Sequence, residues 1–438
     1  MPAADRPRRA VARWLPPRPG ETAPALWAAL YFFSLLAGYY LLRPVRDTMG
    51  AESGGARLPW LFTATFAAML AAVPAYAWLA SRYPRRVLLP TVYAVCIGVI
   101  LVFYLLLASG TGGLWTERAF FVWISVFNLF VVSVFWSFMA DIFSAGQGRR
   151  LFAFIAAGGS AGAIAGPAAA GLLAPLIGTA ALLPASAALL GVALLCIARL
   201  RHWAVRREGT AARGEPGGLG GGVWEGVRRL AASPYLLGIG AFIWLYTTLA
   251  TFLYFQQAAL VADRFADDDA RTAVFAAIDF GTNTLTVALQ LFVTHRLIRR
   301  FGLGTALGLL PAICLVGFLA LALLPALGVL AAFQVLRRAG NYAVARPARE
   351  TLFTVVARND KYKAKNVIDT LVYRGGDALS GWLYAGLSAL GLGVAGAAWV
   401  ALPLAGAWLA LALGLARAQA RRETAAPAGD SALHGDEP

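Results

Sequence analysis

The chain has 438 residues, a mean hydropathy of +0.66 and only 14% charged residues. A soluble domain is close to half apolar and a quarter charged, so 59% hydrophobic content excludes that class. The formal charge of +16 invites a nucleic-acid reading. It is better placed in cytoplasmic loops, where membrane proteins gather Lys and Arg, and no nucleic-acid partner is expected.

Residues 1–24 are basic and Pro-rich, with Arg6, Arg8, Arg9, Arg13 and Arg18. The apolar run that follows ends on Arg43-Pro44-Val45-Arg46-Asp47, not on a small-residue cleavage site. The sequence therefore predicts a cytoplasmic tail and a retained first span. Apolar runs predict twelve spans, at 25–42, 58–79, 87–108, 119–140, 151–176, 180–200, 235–255, 272–295, 304–324, 328–345, 367–390 and 396–416. Each is close to the ~20 residues that cross a hydrocarbon core of about 30 Å. Their continuous apolar character excludes a β-barrel, whose strands alternate. The expected fold is an all-α membrane protein, twelve transmembrane helices in two six-helix halves. The halves are 25–200 and 234–416, joined by a Gly-rich cytoplasmic linker at 201–233. A polar, disordered tail is expected over 417–438.

Charge sets the predicted orientation. With the N-terminus inside, the cytoplasmic segments hold 29 Lys and Arg and the outer segments hold 6. That asymmetry is the positive-inside signal, and it predicts a bacterial inner-membrane protein with both termini cytoplasmic. The three cationic residues left over, Arg337, Arg338 and Arg374, fall inside spans.

Those three head the candidate site. Arg337 and Arg338 lie roughly 15 Å into their span, and Arg374 and Asp377 roughly 13 and 17 Å into theirs, at 1.5 Å per residue. Asp279 and Asn283 lie roughly 12 and 18 Å into span eight by the same rise. Helical spacing puts Gln334, Arg337, Arg338 and Asn341 on one face, Asp279, Asn283, Thr286 and Gln290 on another, and Thr370, Arg374 and Asp377 on a third. Five charges facing lipid would cost about 12–18 kcal/mol even on a lenient insertion scale. They are therefore expected to line one polar cavity or to pair, with Asp279 or Asp377 holding Arg337 or Arg338. Three Arg against two Asp leaves one positive charge for an anion to balance, and Arg suits carboxylate and phosphate. Arg43 and Arg46 close span one as an outer basic gate, and Asn128 sits near the middle of span four. The three cysteines, Cys96, Cys196 and Cys314, lie in apolar runs without metal-like spacing and read as core.

Two basic turns, Ser81-Arg82-Tyr-Pro-Arg85-Arg86 and His295-Arg296-Leu-Ile-Arg299-Arg300, stand 214 residues apart, about half the chain. Two six-helix halves with a basic turn after the second helix of each resemble the major facilitator superfamily. The core Gly162-x-x-x-Gly166-Pro167 resembles that superfamily's fifth-helix antiporter signature, although its glycines also suit close helix packing. Three stretches together resemble the ATP/ADP translocases of plastids and intracellular bacteria. They are Leu42-Arg43-Pro44-Val45-Arg46-Asp47, then Phe135-Trp136 through Arg149-Arg150-Leu151-Phe152, and Lys365-Asn366-Val367-Ile368-Asp369 with Gly375-Gly376. The resemblance implies nucleotide exchange across the membrane. Departures accompany it: Arg46 stands for a lysine, Asn128 for an acidic residue, and Asp377 where a cation is expected.

The predicted activity is alternating-access transport of a small anion, nucleotide or phosphate compound, by a monomer without cofactor. The alternatives are a proton-coupled exporter of small organic molecules and a non-transporting membrane scaffold or sensor. No Gly-x-x-x-x-Gly-Lys-Ser/Thr loop exists, which disfavours ATP-driven pumping. His202, His295 and His434 are scattered, and no metal cluster or nucleophile arrangement argues for an enzyme.

Overall fold

The computed structural model describes residues 20–207, 228, 230–356, 364, 365 and 367–425. Among them the regular structure is helical. The long helices are α1 (Thr22–Glu52), α2 (Leu58–Arg82), α3 (Arg85–Ala108), α4 (Gly113–Ile142), α5 (Ala145–Ile177) and α6 (Leu182–Arg207). They continue with α7 (Pro234–Arg264), α8 (Asp268–Phe292), α9 (Thr294–Leu323), α10 (Leu327–Gly340), α11 (Tyr373–Ala389) and α12 (Val394–Ala425). Ten of the twelve are long and apolar enough to cross a membrane. The other two, α10 and α11, carry Arg337, Arg338, Arg374 and Asp377, and each adjoins a π-helical turn, Asn341–Ala345 or Ile368–Val372.

Several boundaries differ from expectation. α1 does not end before Arg43. It continues through Pro44 to Glu52, so Arg43 and Arg46 lie inside the helix and not at its exit. α12 runs to Ala425, which makes the first residues of the predicted C-terminal tail helical. Residues 208–227, the centre of the predicted linker, and 357–363 of the polar hairpin lie outside the described residues, as do 1–19 and 426–438. In α9 the backbone breaks at Gly302, whose φ of 74° is one that side-chain-bearing residues rarely adopt. The basic turn Arg296–Arg300 precedes that break, and the apolar span follows it.

The chain forms two compact units, one of residues 1–216 with 261–283 and one of 217–260 with 284–438. In this grouping the first four turns of α8 go with the first unit.

α1 is the axis of that first unit. Its partner α5 meets it backbone to backbone. A Cβ added at Gly158 or Gly166 would come 2.5 or 2.6 Å from the carbonyl oxygen of Ala29 or Ala37, and one at Gly162 would strike that of Phe33. Small residues four apart permit this approach, and dispersion across the contact replaces the hydrophobic drive that lipid cannot supply. On another side of α1 the Tyr31 and Tyr93 hydroxyls share a hydrogen bond of 2.6 Å, and Phe32 stacks on Phe135 at 4.1 Å. In the second unit α9 packs against α12 and α10.

Candidate functional site

The sequence predicts one cavity lined by three polar stripes. Each of the two units, taken by itself, holds a polar cluster.

The first is built on α1 and α8. Arg43 Nη1 lies 3.4 Å from Asp279 Oδ1, and Asp279 is 1% exposed. Asp279 thus has an ion-pair partner on α1. Arg46 pairs with Asp47 at 3.3 Å, and its guanidinium sits 4.1 Å over the Phe121 ring. Further contacts hold the same face of α8. The Thr48 and Thr272 hydroxyls are hydrogen-bonded at 2.8 Å, and the Thr179 amide donates to Asp269 Oδ1 at 2.6 Å. Asn283 Nδ2 donates to the carbonyl oxygen of Ala163 at 2.6 Å. Pro167 explains that last contact. It has no N–H for the carbonyl four residues back, and the Asn283 amide takes the vacant place. Asn283, a candidate ligand from its sequence position, thus has a structural partner. Thr272 stands seven residues before Asp279, so the stripe extended by two turns would have found it.

The second cluster is built on α7, α10 and α11. Arg337 is 5% exposed. Its Nε and Nη2 both donate to Gln334 Oε1, at 3.2 and 2.8 Å. Gln334 in turn donates through Nε2 to Gln257 Oε1 on α7. Arg337 Nη1 is buried and has no hydrogen-bond partner. The guanidinium lies 6.0 Å from the Tyr246 ring, whose hydroxyl accepts from Asn341 Nδ2 at 3.0 Å. Tyr373 and Trp408 also pack on Tyr246, at 6.0 and 5.9 Å. Arg374 lies 3.8 Å from Asp377, one turn on, and Thr251 donates to the same carboxylate at 3.4 Å. Arg338 is buried next to Arg337 in sequence. Asn128 is half-buried on α4 of the first unit. Sequence reasoning missed Tyr246 and Gln257. They are eleven residues apart, three helical turns, and share a face of α7.

α10 is distorted beside this cluster for a local reason. Pro347 cannot donate to the carbonyl of Ala343 and would press its ring into it. The backbone widens into the π turn, where Arg346 N–H donates to the Asn341 carbonyl. The hydroxyl of Thr294 then caps the Ala343 carbonyl at 3.0 Å. Beyond the turn, Arg349 pairs with Asp369 at 3.6 Å and Lys365 with Glu350, linking the start of the α11 segment to the end of the α10 segment. No group of three or more His, Cys, Asp or Glu side chains able to hold a metal ion occurs among the described residues.

The profile of the Major Facilitator Superfamily matches residues 13–362. The chain belongs to the Major Facilitator Superfamily. It is a multi-pass membrane protein and a secondary transporter of the alternating-access kind, not an enzyme. Solved structures of similar fold cover nearly all of the chain. The POT family transporter PepTSo is 13% identical over 92% of this chain and 98% of that one, with a TM-score of 0.61. A bacterial homologue of the iron transporter ferroportin is 11% identical over 90% and 98%, with a TM-score of 0.62. The nucleoside transporter NupG is 15% identical over 90% and 99%, with a TM-score of 0.57. At these identities the likeness establishes the fold. A search of curated protein sequences gave no match.

Proposed function

We propose that this facilitator moves an anionic small molecule, a nucleotide or related phosphate compound, by exchange, and that Arg337 is its principal anion contact. The observation that carries the reading is the state of Arg337. Its guanidinium is buried, its only hydrogen bonds are to a neutral amide, and one of its nitrogens has no partner. Among the described residues no carboxylate forms an ion pair with it; the nearby Asp377 faces Arg374. A buried charge without a counterion is expensive. A substrate oxyanion would supply both the missing acceptor and the missing charge, through a charge-assisted bond. Asn341 bonds the same Tyr246 that the Arg337 guanidinium faces and, with Arg374, is assigned to the anion's remaining oxygens in this proposal.

The nucleotide assignment rests on the three sequence stretches that resemble the ATP/ADP translocases. Two of them provide machinery more than specificity. Leu42–Asp47 carries the Arg43–Asp279 pair, and Phe135-Trp136 with Phe152 forms an aromatic cluster, Trp136 to Phe152 at 5.4 Å. The role given to Arg43 and Asp279 is a gate: α8 held to α1 in one state of the cycle and released in the other.

Exchange is tested in proteoliposomes loaded with ADP or left empty and supplied with labelled ATP. Uptake that needs internal nucleotide, and is lost in Arg337→Gln, is the expected result. Uptake driven instead by an imposed pH gradient would favour the proton-coupled alternative. An unaltered melting curve of the purified protein with ATP, ADP and inorganic phosphate, together with no flux, would remove the anion reading altogether.

A further inference from the structure

We propose that the cavity between α2, α3 and α4 of the first unit is a slot for the acyl chain of a membrane lipid. The cavity has a volume of about 160 Å³. Tyr76 of α2, Tyr93 and Cys96 of α3, and Trp123, Phe127 and Val131 of α4 form its principal walls. Trp123 stacks on Phe127 at 5.2 Å, giving the slot one flat aromatic side. The walls offer almost nothing polar. The Tyr93 hydroxyl is engaged with Tyr31, and Cys96 is a free thiol.

The chemistry of the walls selects the occupant. A charged or hydrogen-bonding solute would lose its hydration there without compensation. Water is disfavoured for the same reason, and apolar cavities of ~150 Å³ stay dry and accept a benzene-sized hydrocarbon. The slot therefore has room for about six carbons.

The position of the cavity supplies the source. Tyr93 and Cys96 lie eight and eleven residues into α3, roughly 12–17 Å along it at the helical rise, which is the middle of a bilayer. α3 is the least buried of the ten helices long and apolar enough to cross a membrane. Its outer surface is Val95, Leu101, Val102 and Leu105, all exposed. In a membrane-spanning protein, surface of that kind at that depth meets hydrocarbon. The molecules beside the slot are acyl chains, and an empty slot would leave its lining without contact partners.

The test uses the full chain in vesicles of phosphatidylcholine bearing a photoactivatable diazirine at the end of one acyl chain. Parallel vesicles carry the diazirine next to the headgroup. After irradiation, adducts are mapped by peptide mass spectrometry. Tail-end adducts should concentrate around Cys96 and Trp123 by about tenfold, equivalent to ~1.4 kcal/mol, over the exposed mid-span belt at Leu195, Val316 and Leu319. The headgroup label should show no such concentration. Cys96→Phe fills the slot and should bring labelling there down to belt level while the melting curve stays in place. Equal tail labelling along the belt overturns the proposal, and so does undiminished labelling in a folded Cys96→Phe protein. If that variant does not fold, the tail-against-headgroup comparison in the unaltered chain decides.

Discussion

Arg43 and Arg337 show two ways of keeping a guanidinium in a membrane protein. Arg43 has Asp279 at 3.4 Å; Arg337 has a glutamine and an open nitrogen. The two should respond differently to substitution. Removing one member of a buried pair strands the other charge, at about 3–5 kcal/mol. Asp279→Asn is thus expected to lower the melting temperature more than the double variant Arg43→Gln/Asp279→Asn does, a non-additivity that a double-mutant cycle measures. A strictly additive cycle would mean the two side chains do not act as a pair. For Arg337 the unliganded protein should lose little, since no carboxylate is stranded. Arg337→Gln should instead weaken anion binding by roughly 10²-fold, the effect of losing ~3 kcal/mol at a buried charged contact. Arg337→Lys should recover only part of it, because an ammonium cannot keep the two bonds to Gln334 and also present a free N–H in the same plane. Ligand-induced thermal shifts on the three proteins give the comparison.

The helices are where sequence legibility was uneven. The existence of α1 to α12 could be read from apolar runs of bilayer length. Charge placement also isolated α10 and α11 as unusual. Two features could not be read, and both trace to proline. Pro44 looked like the exit of the first span, yet a membrane helix tolerates an interior proline where its surroundings re-satisfy the freed backbone groups, and α1 continues for two turns. Pro167 and Pro347 each leave a carbonyl, Ala163 and Ala343, that a side chain from elsewhere must satisfy. Nothing local to either proline names Asn283 or Thr294 as the donor; only tertiary structure brings them there. The pairing is testable. Thr294→Val should cost about 1–2 kcal/mol by orphaning the Ala343 carbonyl, a drop of roughly 1–2 °C for a chain of this length. Pro347→Ala restores a backbone donor, so the double variant should be less damaged than Thr294→Val alone. Equal damage in both would remove the capping role. On the α1–α5 contact, Gly162→Leu should prevent folding and Gly162→Ala should cost about 1–3 kcal/mol through overpacking, read as lost monodisperse protein and a lowered melting temperature.

At the level of the whole chain, the all-helical facilitator fold with about twelve long helices agreed with expectation. Sequence symmetry puts all of α8 with the second half. Its first four turns pack instead with α1 and α5, because Thr272, Asp279 and Asn283 find partners there. Periodicity identified that face as polar and buried, but it carries no information on which neighbour receives it. If this docking is the gate, release of α8 is part of the transport cycle. A cysteine pair at Thr48 and Thr272, whose hydroxyls are 2.8 Å apart, should then lock the protein when oxidised and stop exchange, and reduction should restore it. Full exchange in the oxidised form would show that α8 does not move.

The Arg43–Asp279 pair also bears on how the protein is made. The two residues are separated by 236 positions, 279 minus 43. At the usual synthesis rate of about 5–20 residues per second, Arg43 leaves the ribosome roughly 12–47 s before its counterion exists. Throughout that interval α1 holds a cation whose exposure to lipid costs about 2.5–3.5 kcal/mol, and its glycine-faced partner α5 (Ala145–Ile177) is complete only after more than half of it. The first helix is therefore a poor candidate for early release into the bilayer. It should linger at the insertion machinery until the eighth arrives, and a nascent chain truncated before Asp279 should remain crosslinkable to that machinery through α1.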